Sequence, residues 1–215
     1  MKNNFKAIFV LSVLTLFLSG CASTPTTTFQ YEYPLERLSS SANSSIVIVS
    51  PEDKRWPDGE NDIIWSDDPL KEIGKVIQAE IKSTGLFSDV LYFDKEDKDK
   101  IVESSAGMVL YTSVTLLAWD VPFPPEPDDI VPIVGLHATD FTDLYGKVKI
   151  MVKLVDKDNG QDLIMKEYYS RVRKTMSYLR TELYGERKRV IGQALKDVME
   201  QLKIDLKGLA EEGRI

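Results

Sequence analysis

The residue with the most specific chemistry in this chain is Cys21, which is its only cysteine. A single thiol cannot form an internal disulfide bond, so its sulfur is available for another covalent reaction. Cys21 follows an apolar run, residues 7–18, which has a basic start at Lys2 and Lys6 and is followed by small residues. This order is typical of a secretory leader, and we predict a signal peptide over residues 1–20. The alternative is a transmembrane anchor, but the run is shorter than the roughly 20 residues that a span requires.

The phrase Leu18-Ser19-Gly20-Cys21 resembles the lipobox of bacterial lipoproteins, in which the leader is removed before the cysteine and the sulfur carries a diacylglycerol. The resemblance implies that Cys21 is lipidated. Each buried methylene of an acyl chain contributes about 0.8 kcal/mol, so two or three chains hold a protein at a membrane permanently. Ala22 is not the aspartate that commonly retains such proteins in the inner membrane. The implied location is the periplasmic face of the outer membrane, with the outer leaflet of the inner membrane as the alternative.

Composition limits the partners of the chain that follows the leader. Removing 20 residues leaves 195, with 25 basic and 34 acidic side chains and a net charge of −9, because the leader holds two lysines and no acids. Such an acidic protein has no electrostatic reason to bind nucleic acid or an anionic membrane surface. The length suits a single domain, and 43% hydrophobic residues can supply its core.

The chain divides into a tether and one domain. Residues 21–45 contain the lipidated cysteine and a flexible tether rich in Ser and Thr, although an aromatic patch at 29–35 could lie on the folded body. Residues 46–210 form the predicted periplasmic domain, with a Pro/Asp-rich insertion at about 119–145. Periodicity predicts strands over 46–49, 90–93, 107–117, 147–155 and 161–172, and helices over 69–84 and 184–207. Residues 94–100 are predicted as a charged turn, with a short helix through Ser105 as an alternative.

These patterns predict an α+β fold. The strand from Gly107 to Leu117 places Leu116 on the same face as Leu110 and Val114, and each helix has one apolar stripe. The economical arrangement is a single, mostly antiparallel sheet of four to five strands with the two amphipathic helices packed on one face.

The layout resembles the auxiliary lipoproteins of ABC-type transport systems. The resemblance covers roughly residues 44–207 and lies chiefly in the helix end Ser83-Thr84-Gly85-Leu86-Phe87-Ser88-Asp89-Val90, the hairpin with its turn at 156–160, and the closing helix. The lipopolysaccharide-assembly lipoprotein and other periplasmic assembly lipoproteins are built similarly. The resemblance implies no catalytic residues, and a helper that docks on a transport or assembly machine or holds a lipid or glycan. The insertion at 119–145 is longer than this family leads one to expect.

The residues of this sequence that could do chemistry form no catalytic constellation. His137 is the only histidine, so it lacks the partners of a metal site or a catalytic base. The acids Asp120, Glu126, Asp128 and Asp129 have no calcium-loop spacing. We predict no catalytic residue, no metal site and no cofactor. A metal-assisted hydrolase that uses this acidic loop is the weakest alternative.

Candidate binding residues are aromatic or basic. Trp56, Trp65, Trp119 and Phe123 fall in or beside loops, where such side chains either bind partners or cover a small core. The basic residues between 171 and 189 could face a phosphate-bearing lipid or an acidic partner, or form a solvated helix start. They are Arg171, Arg173, Lys174, Arg180, Arg187, Lys188 and Arg189.

We therefore predict a membrane-anchored, non-enzymatic accessory of envelope transport or assembly, whose partner is an envelope protein complex, a lipid or a glycan. The alternative is a regulator that contacts a peptidoglycan-synthesis enzyme, or another envelope enzyme, across the periplasm. The length of the tether distinguishes the accessory from the regulator, because only the regulator must extend far from the membrane. The sequence does not set the oligomeric state.

Overall fold

A computed structural model describes residues 29–35, 44–55, 69–120, 141–177 and 183–215. Its helices are α1 (Pro69–Thr84), α2 (Lys98–Glu103) and α3 (Leu183–Glu211). Its strands are β1 (Ser45–Val49), β2 (Glu52–Asp53), β3 (Asp89–Phe93), β4 (Met108–Asp120), β5 (Phe141–Asp156) and β6 (Asp162–Ser177). The predicted α+β class is confirmed.

The sheet is mixed and has six strands in the described residues, in the order β3-β1-β4-β5-β6, with β2 also paired to β4. Strands β4, β5 and β6 are antiparallel, whereas β1 runs parallel to both β3 and β4. The prediction of a mostly antiparallel sheet of four to five strands is wrong in this half. The physical reason is that α1 returns the chain to the end of the sheet where β1 began, so β3 must pair in parallel.

Helices α1 and α3 pack on one face of the sheet, as predicted. Pro69 occupies the first turn of α1, and Gly85, with φ of 67°, follows its last residue. The apolar stripe of α1 is buried against β1 and β3, and that of α3 against β5 and β6. Both stripes therefore share one core with the inward side chains of five strands.

The short helix α2, which the sequence offered only as the alternative to a charged turn, lies on the opposite face of the sheet. Ile101 of α2 packs in a separate cluster with Val47, Val49 and Val109, which point away from the main core. All residues of β1 from Ile46 onward are buried for this reason. Helix α2 covers only this half of the sheet's second face. In the described part of the chain, no helix covers that face of β5 and β6.

A β-bulge changes the phase of β4. The register with β5 shifts between Val114 and Leu116, so Leu117 and Trp119 take the core side. The prediction that Leu116 points inward is wrong, because simple alternation fails at the extra residue. Strands β4 and β5 also extend into the segment predicted as an insertion, and only residues 121–140 between them lie outside the described residues.

Residues 29–35, here called the strap, lie against the helices. Phe29 is only 3% exposed and belongs to the main core. The Gln30 backbone N–H donates to the Lys188 carbonyl at 3.1 Å. A Cβ atom at Gly192 of α3 would lie 1.7 Å from the Gln30 carbonyl oxygen, so this glycine provides the space in which the strap crosses the helix.

The variant Gly192→Ala is expected to lower the free energy of unfolding by roughly 1–3 kcal/mol, because the added methyl group displaces the strap. Urea denaturation of the purified protein measures the change. Gly208→Ala in the same helix is the matched control: no atom lies within 4 Å of its added Cβ. That control should gain roughly 0.5–1 kcal/mol from helix propensity. Equal effects of the two variants would contradict a close crossing at Gly192.

Candidate functional site

The candidate binding site is a groove on the uncovered part of the sheet's second face. Tyr111 of β4, Lys153 of β5 and Met165 of β6 lie side by side in register across the three strands. Met151 follows in the next row, and Val102 of α2 lies across the groove from these strands. Together these elements enclose a groove of about 850 Å³.

The floor of this groove is apolar and open to solvent. Met165 is 72% exposed, Val102 is 71% exposed and Tyr111 is 42% exposed. Scattered apolar side chains are normal on a protein surface, but a cluster around one depression marks a binding surface. A ligand with an apolar surface would remove these groups from water, with a gain of about 25 cal/mol for each Å² of apolar area.

The rim of the groove is cationic. Three lysines and two acids line it, namely Lys54, Lys95, Lys98, Glu52 and Glu96, and Lys153 lies on the floor between Tyr111 and Met165. Lys54 pairs with Glu52 at 3.2 Å, and Lys153 pairs with Asp162 at 3.0 Å. With Asp162 counted, four lysines stand against three acids, an excess of one positive charge in a chain that is acidic overall. An apolar floor with ammonium groups at its edge suits a ligand that has an apolar chain and an anionic head.

The groove's described side chains offer binding groups and no recognisable catalytic set. No histidine or cysteine is among them. Across the described ranges, no three His, Cys, Asp or Glu side chains are grouped as metal ligands. Asp120, one of the acids weighed for calcium, forms an ion pair with Lys147 at 2.8 Å; the other three lie outside the described residues, as does His137.

On the helix side, a buried carboxylate joins the strap to both long helices. Glu80 of α1 is 2% exposed and accepts hydrogen bonds from the Tyr31 hydroxyl at 2.5 Å and from Lys203 Nζ of α3 at 2.8 Å. Burial and the bond to Glu80 raise the pKa of the Tyr31 hydroxyl well above its ordinary value. Burial lowers the pKa of Lys203, but its bonds to Glu200 and Glu80 outweigh this effect and leave the pKa raised.

Basic side chains gather where the strap meets α3. Arg173, Lys174, Arg189 and Lys196 line a depression of about 320 Å³ beside Gln30. Their acidic neighbours are few: Glu186 binds both Lys174 and Arg189, Asp143 binds Arg173 at 2.8 Å, and Glu32 lies 3.6 Å from Lys196. The hydrogen bond from Lys174 holds the pKa of Glu186 below its usual value.

Of the predicted aromatic binding residues, only Trp119 lies within the described residues. Its ring is stacked by the Arg187 guanidinium at 3.5 Å and packs beside Leu144 and Val190. Trp119 therefore packs, partly buried, against the core, and it does not line the groove, although it lies on the same strand as Tyr111. Cys21, Trp56, Trp65 and Phe123 lie outside the described residues, and their roles stay predictions.

The turn between β5 and β6 is built by its own side chains, as predicted. The Asp156 carboxylate accepts from the Asp158 backbone N–H at 2.9 Å and from the Asn159 amide at 2.8 Å. Gly160 has φ of 69°, which glycine adopts without strain. The residues that superficially resemble a calcium loop are used by the hairpin itself.

Sequence reasoning missed Tyr111, Met151 and Met165. A signal was present, because Met151 shares the outward phase of β5 with Lys149 and Lys153 and is the apolar member of that row. An apolar residue on a face that is otherwise charged is the feature that could have indicated a site.

No known protein-family model and no curated protein matches the sequence. Among solved structures, a Helicobacter pylori protein described provisionally as a neuraminyllactose-binding hemagglutinin homologue is similar over 86% of this chain and 95% of its own, with a TM-score of 0.55 and 15% identity. Protein XCC0632 from Xanthomonas campestris, of the family DUF330, is similar over 87% and 97%, with a TM-score of 0.51 and 10% identity. The chain therefore shares its fold with known bacterial proteins.

Structures similar at lower scores include named lipoproteins. One is rare lipoprotein B from Shewanella oneidensis, with a TM-score of 0.40, 12% identity and coverage of 76% of this chain and 98% of its own. Within the described residues, no helix has the length and apolar character that crossing a bilayer requires.

The bond between Tyr31 and Glu80 predicts a loss of stability at alkaline pH. The raised pKa of Tyr31 means that the folded state binds this proton more tightly than the unfolded state, whose tyrosines titrate near 10.0. The contribution is therefore complete below pH 10 and falls as the pH rises above it. In urea denaturation, Tyr31→Phe should lose roughly 1–3 kcal/mol at neutral pH and show a shallower decline above pH 10. Tyr169→Phe, at an exposed ring on the sheet, is the control; equal alkaline slopes for all three proteins would contradict the buried bond.

Proposed function

We propose that this protein is a lipid-anchored, non-enzymatic accessory of envelope transport or assembly, which holds the acyl chain of an anionic amphiphile in the groove. The observation that carries the proposal is the groove's combination of exposed Tyr111, Val102 and Met165 with a lysine-rich rim. The predicted lipidation of Cys21 supplies the attachment to the outer membrane. The fold itself is shared with other bacterial proteins, among them XCC0632 of family DUF330.

The groove favours an acyl chain over a glycan or a folded protein. Sugars stack on aromatic rings, and the groove's described lining contains a single ring, that of Tyr111, among methionine and aliphatic side chains. Met side chains adapt to flexible apolar ligands because they are unbranched. Lys95 and Lys98 stand at the edge, where the anionic head of such a ligand would lie.

The strap favours a membrane-proximal helper over a regulator of a distant enzyme. Because Phe29 is buried in the core, the chain between Cys21 and Phe29 is the only part of the predicted tether that separates the anchor from the body. Eight residue steps reach about 26–29 Å when fully extended. The tether predicted over 21–45 would have reached roughly 80 Å from the membrane.

A photoreactive amino acid at position 111, introduced into the full-length protein in its own cells, tests the ligand. On irradiation we expect adducts whose added mass is that of an acyl lipid. The same group at exposed Ile204 of α3 should yield none. Adding Met165→Glu should lower the adduct yield at least about tenfold, because the new carboxylate would lose its hydration in the occupied groove.

The control for Met165→Glu is Ile204→Glu, the same change at an exposed apolar side chain on the other side of the molecule. It should leave the adduct yield at position 111 unchanged. Adducts of protein mass, or equal lipid adducts at 111 and 204, would contradict the proposal.

A further inference from the structure

The strap and the basic side chains beside it occupy the same end of the molecule. The basic end is defined by eight cations, namely Lys147, Arg171, Arg173, Lys174, Arg187, Lys188, Arg189 and Lys196. Five acids lie among them, namely Glu32, Asp120, Asp143, Glu186 and Asp197. The described residues here therefore carry a net excess of three positive charges. The chain as a whole is acidic, with a net charge of −7.

The chain toward Cys21 leaves the body at this basic end. The Gln30 backbone N–H is bonded to the Lys188 carbonyl, and the Gln30 side chain accepts from Arg189 Nε at 3.1 Å. Phe29, the next residue toward the anchor, is buried at the same place. The described residues nearest to Cys21 in the sequence thus lie beside the cations of the basic end.

We infer that the basic end is a docking surface for the anionic headgroups of the membrane that holds the anchor. The inference rests on the lipid anchor of the proposed function and assigns a second surface, separate from the groove. Two features on the protein support this occupant: the positive charge of the surface, and the length of chain that leaves it toward the anchor.

Because the tether is short, a weak electrostatic attraction is sufficient to hold the basic end at the membrane surface. Screening limits the attraction to about 8 Å at physiological ionic strength. Eight residue steps reach at most about 26–29 Å, so an anchor at Cys21 keeps the basic end within that distance of the membrane surface. Tethering converts this contact into an intramolecular association at high effective concentration.

The acidic surfaces elsewhere on the protein determine how it is oriented at the membrane. The other surfaces carry the charge that makes the chain net negative, so an anionic membrane repels them and attracts only the basic end. Overall acidity argued against binding an anionic membrane when the sequence alone was considered. The fold changes this conclusion because it separates the charges in space.

Docking by the basic end would also set the position of the groove relative to the membrane. Met165 and Arg173 lie on the same strand, eight residues apart, which corresponds to about 26 Å along β6. The groove would then lie about that far from the anchoring membrane, where a partner can reach its ligand.

Energy transfer in proteoliposomes tests the docking surface on the intact lipoprotein. If Cys21 is acylated, a cysteine introduced at Gln193 or at Ile204 is the only thiol that a fluorescent donor can label. These positions of α3 lie about 16 Å apart, with Gln193 at the basic end. The acceptor is a lipid dye in vesicles of phosphatidylcholine, with or without phosphatidylglycerol.

With phosphatidylglycerol present, transfer from position 193 is expected to exceed transfer from position 204. The difference should be lost in phosphatidylcholine alone, at high salt, and in Arg171→Glu/Arg173→Glu. The matched charge reversal Lys75→Glu/Lys207→Glu, at exposed lysines of α1 and α3, should retain it. Thermal unfolding by circular dichroism verifies that both double variants fold.

Two failures are distinguishable. Equal transfer from both positions in every vesicle, or equal effects of the two double variants, would overturn the docking surface while leaving the anchor intact. Protein that stays in the supernatant without transfer would overturn the anchor, and the docking surface with it.

Discussion

The buried Glu80 carboxylate is the constraint on which the arrangement of the strap, α1 and α3 depends. A charge at 2% exposure is costly unless it is paired, and Tyr31 and Lys203 provide its partners from the strap and from α3. Removing either partner would leave a buried charge incompletely satisfied. This geometry ties three distant parts of the chain together and sets the place where the chain departs toward Cys21.

The two surfaces with a functional interpretation follow from how the sheet is covered. Helices α1 and α3 pack on one face over a shared core, and the strap contacts both of them. On the other face, α2 is only six residues long and covers the parallel half of the sheet. The long antiparallel strands extend past it, which leaves the groove at their turn end and the cations at the other.

Local patterns predicted most of the elements. Pro69 and Gly85 bound α1 as expected, and Asp156 with Gly160 forms the predicted turn. These patterns could not predict whether neighbouring strands pair in parallel or antiparallel. A run such as Ile46–Val49 fits a buried strand of either orientation. The bulge after Val114 was equally hidden, since an extra residue leaves no mark on composition.

The candidate site was predictable only in part. The basic residues were noticed as a group, but their position beside the strap depends on tertiary contacts between β6, α3 and Gln30. The sequence fits Trp119 equally to a binding and a core role, and in the structure its ring lies under Arg187 and packs partly against the core. The groove joins Val102 and Met165, which are 63 residues apart, so no local motif could reveal it.

The most direct test of the account is the mass of the mature protein's N-terminal peptide, measured on material purified from membranes. The account predicts a chain that begins at Cys21 and carries a diacylglyceryl group on its sulfur. A mature chain that begins elsewhere, or an unmodified thiol at Cys21, would contradict it.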